Sequence, residues 1–431
     1  MIQKSTSAII IFFLVLGGLS SCKVQNKKVV NQSDLSTKRG GGSESQPYIT
    51  SIKTDYVLKD SSSLMLYIEV DFENLLSSGL TSISDFQKKF RTNWVYHPAT
   101  GIKEKLESGR MAMTEANSRL EGNKLSMELE LPRLRTMPEA KLVLEFIDLA
   151  ASRKFTNETF IDFNAERPNH RFGMFVDGNA RPSFKPYVKV NTSIRFKSVD
   201  NVARPLFLKR FDTKSPPALS PMSTSKRSDF TTFEEKEVIK FNSGDELKLT
   251  KEGTYVLLDE EKGLGNGFGF LVVNERYPRL AKEEDLLGPL AYMSTNTEIQ
   301  DFKGADTLKK ALDLYFLKMS AGNETMAKQV IKSYYRRVEK TNSLFSSYKE
   351  GWKTDKGMIY LILGPPSRIQ RTGDREVWLY AQNANFSEII FTFYRKQNQF
   401  SENHYELVRY PEYGAYWYPF VEAWRTGSVL E

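Results

Sequence analysis

The residues best suited to chemistry lie in a five-residue segment near the C-terminal end, Gly351-Trp352-Lys353-Thr354-Asp355. The carboxylate of Asp355 could act as a general base or bind a metal ion, with Lys353 and Thr354 lining the same pocket. Such catalysis needs a partnered nucleophile, second base or ion, and the neighbouring sequence supplies none. We therefore favour a structural role, in which Gly351 ends a helix with a positive φ and Trp352 fills a gap between helix and sheet. Thr354 or Asp355 would close the turn that follows.

A second set of residues could bind a ligand by aromatic stacking. Aromatic side chains crowd the C-terminal tail at Tyr413, Tyr416, Trp417, Tyr418 and Trp424. Tyrosine and tryptophan offer a large contact area at low entropic cost, so the tail could be a surface for a protein partner or a glycan. The alternative, which we favour, is that the tail covers the core of its own domain. Pro411 and Pro419 argue against one regular helix throughout the tail.

Other motifs that would indicate a known chemistry are weak. The glycines of the stretch 263–269 alternate and lie between two strand-like runs, so they predict a hairpin loop and not a phosphate-binding loop. The three histidines are scattered along the chain without the spacing of zinc ligands. No Gly-x-Ser-x-Gly elbow appears in the sequence. The sequence thus predicts no catalytic residue, no metal site and no cofactor.

Two amphipathic helices are predicted before the 351–355 segment. In the first, which Asp306 would cap, one face is apolar: Leu308, Leu312, Tyr315, Phe316 and Met319. Asn323 would cap the second helix, whose apolar stripe runs from Met326 through Tyr334 to Phe345. The other faces of the second helix are basic, with Lys328, Lys332, Arg336, Arg337 and Lys340.

The elements after the segment are predicted to be strands. The apolar run 358–363 reads as a strand that ends at Gly364-Pro365-Pro366, and further strands are predicted at 376–381, 388–394 and 405–410. A helical pair backed by a small antiparallel sheet is an α+β unit, which we place at 281–431.

The stretch from Tyr334 to Pro366 resembles the C-terminal domain of GWxTD-domain proteins, a family of lipoproteins of the Bacteroidetes type that is named for the residues 351–355. The resemblance implies a family motif composed of Gly351, Trp352, Lys353, Thr354, Asp355, Gly364, Pro365 and Pro366. The family's biochemical activity is poorly defined, so the resemblance implies an architecture and an envelope location more than a reaction. Gly364-Pro365 and the later Trp378-Leu379-Tyr380 also resemble small outer-membrane assembly lipoproteins, which implies an adaptor role in the envelope.

The N-terminus predicts export. Lys4 precedes an apolar run over 8–16, which is shorter than the roughly 20 apolar residues that a membrane span needs. The next residues, Leu19-Ser20-Ser21-Cys22, resemble a bacterial lipobox, which implies that 1–21 is a signal peptide and that Cys22 carries lipid. The alternative is a soluble export signal in which Cys22, the only cysteine, is incidental. By analogy with lipoprotein sorting, Lys23 favours an anchor in the outer membrane, facing the periplasm.

Three folded regions are predicted after a disordered tether at 22–46. Apolar and polar residues alternate over 47–164 and 165–280, which favours two antiparallel β-sandwich-like modules. Inside the second module, the Pro/Ser-rich stretch 214–228 is predicted as a long exposed loop. The chain is therefore predicted to be multi-domain and mainly β, with two β-sandwich-like modules followed by the α+β domain 281–431.

Charge and compartment narrow the range of partners. The net charge of +8 is spread along the chain, and export excludes a nucleic-acid partner. The surplus of Lys and Arg favours a mild attraction to acidic lipid, glycan or protein surfaces. We expect an outer-membrane-anchored, non-catalytic binding or scaffold subunit of a cell-envelope complex, with outer-membrane or periplasmic protein partners. Two alternatives stay open: a glycan- or peptide-binding lipoprotein in nutrient uptake, and an envelope enzyme that uses the 351–355 segment.

Overall fold

A computed structural model describes the chain over residues 29–31, 46–212, 215–225, 234–262, 265–280, 282–303, 307–381 and 388–429. The predicted signal peptide and the predicted lipid attachment site, Cys22, lie outside the described residues, as does most of the predicted tether. Three residues of that tether form a short strand, Val29–Asn31, which pairs with the first module. Among the described helices, none has the length and apolar character required to cross a membrane.

The first module is a sandwich of two β-sheets, as predicted. Its strands are β1 (Val29–Asn31), β2 (Tyr48–Leu58), β3 (Ser63–Glu73), β4 (Phe90–Pro98), β5 (Glu107–Arg110), β6 (Ser118–Glu121), β7 (Lys124–Pro132), β8 (Glu139–Asp148) and β9 (Arg153–Asp162). One sheet has the order β1-β9-β8-β4-β5 and the other β2-β3-β7-β6, with only the β1–β9 pair parallel among these strands. Alternate side chains of both sheets, such as Leu66 and Leu144, meet in one buried core, and a short helix α1 (Ile83–Lys89) closes an end.

The second module also pairs two sheets. Its strands are β10 (Gly173–Val176), β11 (Tyr187–Lys189), β12 (Ser193–Lys197), β13 (Pro205–Phe211), β14 (Glu235–Asn242), β15 (Leu247–Lys248), β16 (Gly253–Leu258) and β17 (Phe268–Val273). They form a three-stranded sheet, β10-β12-β15, and a five-stranded sheet, β11-β17-β16-β13-β14. Strands β16 and β17 are an antiparallel hairpin, so the prediction of a hairpin loop around the alternating glycines is confirmed.

The connection between β13 and β14 corrects one prediction. Its described part, residues 215–225, packs against the C-terminal domain and is not an exposed loop. The amide of Ala218 donates to the Tyr292 hydroxyl at 3.0 Å, and Ala218 is buried in that domain's core. Arg409 donates to the carbonyl oxygens of Leu219 and Ser220, each at 3.2 Å. Proline does exclude a paired strand here, but it leaves carbonyl groups that another domain can bind.

The C-terminal region has the predicted α+β character. Its helices are α2 (Glu283–Leu290), α3 (Asn296–Lys303), α4 (Leu308–Met319), α5 (Glu324–Phe345), α6 (Asp355–Leu363) and α7 (Gly414–Arg425). Its strands form the antiparallel sheet β18 (Arg368–Arg371), β19 (Arg375–Tyr380), β20 (Ile389–Arg395) and β21 (Tyr405–Leu407). The Asn323 side chain accepts from the amide of Met326 at 3.0 Å, so the predicted cap of α5 is confirmed. Short 3₁₀ turns occur at Leu76–Ser78, Pro168–His170, Gly351–Lys353 and Pro411–Tyr413.

Two secondary-structure predictions in this region are wrong. The run 358–363 belongs to helix α6, not to a strand. Apart from the half-buried Tyr360, its residues are apolar and buried, so the run has no period that distinguishes a strand from a core helix. The tail forms helix α7 in spite of Pro419, which lies on the exposed side of that helix. There the carbonyl group left without its usual amide donor can be hydrated.

The second module and the C-terminal domain share an apolar contact. Val256 and Leu258 of β16 pack against Tyr348 and Phe400. The amide of Gly269 donates to the carbonyl of Phe400 at 2.6 Å, so a backbone hydrogen bond joins the two units there as well. The C-terminal domain is therefore held against the sandwich that precedes it.

Candidate functional site

The 351–355 segment crosses between helices α5 and α6 in a tight 3₁₀ turn. Gly351 is required there, but not for the predicted reason, because its φ is not positive and α5 ends earlier, at Phe345. A Cβ atom at Gly351 would overlap the carbonyl oxygen of Thr341 and lie 2.8 Å from the Cα atom of Asn342. The glycine thus permits the turn to approach the last turns of α5.

Trp352 is a core residue with both backbone groups satisfied. Only 4 % of its surface is exposed, and its ring lies edge-on to Tyr292 at 6.1 Å. Its amide donates to the Asn342 side chain at 3.2 Å, and its carbonyl accepts from the Tyr292 hydroxyl at 2.9 Å. A Cβ atom at Gly288 of α2 would lie 2.5 Å from the indole ring. The indole is therefore enclosed by α2 and the residues that follow it.

Thr354 and Asp355 begin helix α6. The Thr354 hydroxyl accepts from the amide of Gly357 at 2.9 Å and donates to the carbonyl of Gly351 at 2.7 Å, which is an N-cap. Asp355 is 1 % exposed. One of its carboxylate oxygens accepts from Arg409 at 2.8 Å, and the other accepts from the amide of Leu407 at 2.7 Å. The carboxylate thereby ties the start of α6 to strand β21.

The remaining motif residues have similar structural positions. Lys353 pairs with Glu350 at 2.8 Å on a half-buried surface. Gly364 ends α6 with a φ of 83°, and its carbonyl accepts from the Tyr380 hydroxyl at 2.9 Å. Pro365 and Pro366 follow and line the cavity described below.

The aromatic tail mostly covers its own domain. Tyr413, Trp417 and Trp424 are buried, and Trp424 donates from its indole nitrogen to the carbonyl of Ile362 at 3.1 Å. These three side chains are not available as the stacking surface considered from the sequence. Tyr416 is half-buried, whereas Tyr418 is 63 % exposed.

A cavity of about 830 Å³ lies beside the 351–355 segment, and we call it the basic cavity. Residues 50–51 of the first module and Pro186 of the second contribute to its wall, and the C-terminal domain supplies the rest. Five of its side chains are cationic: Arg336, Lys340, Lys349, Lys356 and Arg371. Sequence reasoning missed this site, and the only signal for it was the basic face predicted for α5.

An ion-pair cluster forms one wall of the basic cavity. Glu376 accepts from Lys356 at 3.0 Å and from Arg371 at 3.2 Å, and the Trp378 indole nitrogen donates to it at 3.0 Å. Burial opposes the ionisation of Glu376, but the charges of Lys356 and Arg371 lower its pKa to about 2. Burial lowers the pKa of Lys356 to about 8, because Glu376 offsets only part of the cost of desolvation. The Lys356 ammonium lies 3.3 Å from the centre of the Tyr405 ring.

A second charged cluster joins the three folded units. His170 lies 2.9 Å from Glu402 and is fully buried against the ring of Tyr56. Arg395 of β20 bonds to Glu139 of β8 at 2.7 Å, across the boundary between the C-terminal domain and the first module. Burial opposes the ionisation of Glu402, but His170 and Arg395 lower its pKa to about 2. The cluster is a junction, and among the described residues no group of three acidic, histidine or cysteine side chains could hold a metal ion.

One family model matches the part of the chain that contains the 351–355 segment. Residues 253–426 match the family model of the GWxTD domain. The chain carries a GWxTD domain. The match begins at Gly253, in strand β16, so it includes the β16–β17 hairpin as well as the helices and the four-stranded sheet. The family unit therefore includes two strands that pair with the sheet of the second module.

Similar solved structures are distant from this GWxTD-domain protein. The 47-kilodalton lipoprotein Tp47 of Treponema pallidum is 13 % identical, with a TM-score of 0.21 over 54 % of this chain and 52 % of that chain. The chain thus spans about half the length of Tp47. A chimeric titin Z1Z2 carrying a KLER exogenous peptide from decorin is 11 % identical, with a TM-score of 0.15 over 52 % of this chain and 94 % of that chain. No curated protein matches the sequence.

Proposed function

We propose that this GWxTD-domain protein is a non-catalytic binding or scaffold subunit of a cell-envelope complex. It would be anchored in the outer membrane through lipid on Cys22 and would face the periplasm. The observation that carries the proposal is the state of Asp355, the carboxylate with the most catalytic potential in the motif. It borders the basic cavity but is only 1 % exposed, and both of its oxygens bind groups of the protein that hold α6 and β21 together. A general base needs an oxygen that can reach a substrate.

The contacts between the folded units support a scaffold role. The buried pair of His170 and Glu402, the bond between Arg395 and Glu139, and the apolar contact of β16 with Tyr348 and Phe400 link three units. An arrangement with several such links presents surfaces from different units in a constant relation. That property suits a subunit that holds other proteins in place.

The proposal is tested by isolating the tagged lipoprotein from its own membranes in mild detergent, followed by mass spectrometry. We expect a lipid-modified N-terminal peptide beginning at Cys22, an outer-membrane fraction, and a stoichiometric set of envelope proteins. The matched control is Cys22→Ser, which should leave the membrane fraction while the GWxTD domain stays folded. Recovery of the wild-type lipoprotein alone from the outer membrane would contradict a scaffold role, and recovery in the soluble fraction would contradict the anchor.

A ligand-binding lipoprotein is the second candidate, and the basic cavity is what favours it. Its volume of about 830 Å³ lies in the range of small-molecule sites, whereas the buried tryptophans of the tail offer no stacking surface. A binding role of this kind is compatible with a scaffold role, because a scaffold can be regulated by a small ligand.

A further inference from the structure

The boundary between the first module and the other two units is polar. The apolar core of the first module consists of residues 48–165, and among the described residues no buried apolar cluster combines them with residues of another unit. Hydrogen bonds and ion pairs cross the boundary instead. The amide of Gly373 donates to the carbonyl of Ala99 at 2.7 Å, and Arg181 pairs with Glu128 at 3.2 Å. The second module and the C-terminal domain, in contrast, share the apolar contact of β16.

His170 lies at the centre of this boundary. It belongs to the 3₁₀ turn Pro168–His170, which precedes the first strand of the second module, and it is fully buried. Its Nε2 atom lies 2.9 Å from a carboxylate oxygen of Glu402 in the C-terminal domain, and its Nδ1 atom lies 3.7 Å from a carboxylate oxygen of Asp162 in the first module. The ring also stacks on Tyr56 of the first module at 5.5 Å. One imidazole thus connects all three units.

The two carboxylates favour a ring that carries two protons. A neutral imidazole has one N–H donor and one nitrogen lone pair. Either tautomer therefore turns a lone pair towards a carboxylate, at Glu402 or at Asp162, whereas the imidazolium presents N–H to both. The Nδ1 atom is buried and makes no hydrogen bond with the described residues, so its interaction with Asp162 depends on the charge of the ring.

The groups around His170 determine what else changes with pH. They are Asp55 and Tyr56 on β2, Glu139 on β8, Asp162 on β9, Arg395 on β20, Glu402 in the connection to β21, and Arg167 beside the turn. In spite of its burial, Glu402 has a pKa of about 2, because His170 and Arg395 stabilise its charge. Burial raises the pKa of Tyr56, which stays neutral. Desolvation raises the pKa of Asp55 to about 7, and the charge of Glu402 adds to this effect.

Both proton losses weaken the boundary as the pH rises. The stability that the protonated form of Asp55 contributes is complete below about pH 4 and is lost as the pH rises through about 7. Histidine changes its charge between about pH 5 and pH 8. When His170 loses its proton, its charge-assisted contacts with Glu402 and Asp162 are lost, and a lone pair faces a carboxylate.

We propose that His170 is a pH-dependent junction that holds the first module against the other two units at about pH 6 and releases it at about pH 8. The second module and the C-terminal domain stay together through the apolar contact of β16. Release opens the basic cavity, because residues 50–51 of the first module belong to its wall. The inference adds a regulation that the scaffold role does not include, and it depends neither on the lipid anchor nor on any partner.

The test places two spin labels across the boundary in the full chain. Thr100→Cys and Asp374→Cys introduce the labelling sites at exposed positions beside the hydrogen bond of Gly373 with Ala99. The substitution Cys22→Ser removes the only other cysteine. We expect dipolar broadening between the labels at about pH 6 that falls by at least half at about pH 8 and returns when the pH is lowered. Thermal unfolding at both pH values shows whether the units stay folded.

Three variants identify the group that is responsible. His170→Gln cannot take up the proton and should show weak broadening at both pH values. Glu402→Gln should show strong broadening at both, because the amide can donate to the lone pair of a neutral ring. His97→Gln is the matched control: the ring of His97 contacts the carbonyl of Glu104 at 2.7 Å, within the first module, and the variant should behave as the wild type.

The proposal is overturned if the broadening in the wild type does not change between the two pH values. It is equally overturned if Glu402→Gln keeps the wild-type pH dependence or if His97→Gln abolishes it. If His170→Gln does not fold, the wild type and Glu402→Gln decide the question.

Discussion

The 351–355 segment and the basic cavity lie side by side, but their charged side chains have different surroundings. In the segment, Asp355 is enclosed, and its partners Arg409 and Leu407 satisfy both carboxylate oxygens. In the cavity, five cations face a space that is large enough for a small molecule. Burying a charge without a partner costs several kcal/mol, so a paired buried charge is a structural feature. A cavity of this volume with polar and apolar side chains in its lining is suited to a ligand.

The comparison also indicates which role the residues of the family motif have. The residues 351–355 hold helix α6 against α5, α2 and β21, and they thereby form part of the cavity wall. The residues that would contact a ligand, such as Lys340 and Arg371, lie outside the five that name the family. A motif can thus mark a site without containing the groups that bind there.

The largest expected effect comes from Gly357→Ala in the first turn of α6. A Cβ atom there would overlap the carbonyl oxygen of Gly351, and neither backbone can move without breaking the cap at Thr354. We expect the unfolding free energy to fall by about 3 kcal/mol or more. The matched control is Gly414→Ala, also a helical glycine, where the nearest atom would be 3.4 Å away. Chemical denaturation should show a change within about 1 kcal/mol there, and equal losses at the two glycines would contradict the account.

The aromatic tail offers an effect of similar size. Trp424→Ala removes a fully buried indole that packs edge-on against Tyr334 at 5.3 Å and should cost about 3–5 kcal/mol. Tyr418→Ala changes a side chain that is 63 % exposed and should stay within about 0.5 kcal/mol of wild type. Thermal or urea unfolding of both variants measures the difference. If Trp424→Ala left the unfolding free energy unchanged, the tail would again be a candidate binding surface.

The smallest predicted effect tests the second candidate function, a ligand in the basic cavity, through the pH dependence of the binding of an anion beside Lys356. The pKa of Lys356 is lowered to about 8, so its ammonium is mostly charged at pH 7 and mostly neutral at pH 9. A bound anion favours the charged form, and affinity must therefore fall as the pH rises through 8. We expect citrate to bind up to about tenfold more weakly at pH 9 than at pH 7, since citrate stays ionised over this range.

Lys356→Arg is the control for that profile, because arginine stays charged at both pH values. Its affinity for citrate should vary little between pH 7 and pH 9. A wild-type profile that is as flat as that of the variant would show that Lys356 does not take part in binding.

Local signals in the sequence were enough for much of the fold. The Asn323 cap depends on residues close together in the chain, and the period-two alternation of the first module reports directly which face is buried. Both predictions are confirmed. The α+β character of the C-terminal region, with helices beside a small antiparallel sheet, is confirmed, but the predicted helical pair is only part of the six helices described there.

What could not be predicted depends on contacts between distant parts of the chain. Nearly every residue of the run 358–363 is apolar and buried, so its composition alone does not separate helix from strand. Glycine is needed at position 351 because the α5 backbone lies so close to it, and this contact is visible only in the folded chain. The basic cavity joins residues 50–51, Pro186, the α5 face and β18, and no local pattern brings these together.

The most direct test of the structural role of the motif is the unfolding free energy of Asp355→Asn. The substitution keeps the shape of the side chain and removes the charge that Arg409 compensates in a buried site. The control is Lys353→Gln in the same motif, which breaks a partly buried pair with Glu350 and should cost about 1 kcal/mol or less. The account predicts that Asp355→Asn loses about 3–5 kcal/mol in urea denaturation. A value within about 0.5 kcal/mol of wild type would contradict the account and restore Asp355 as a candidate catalytic base.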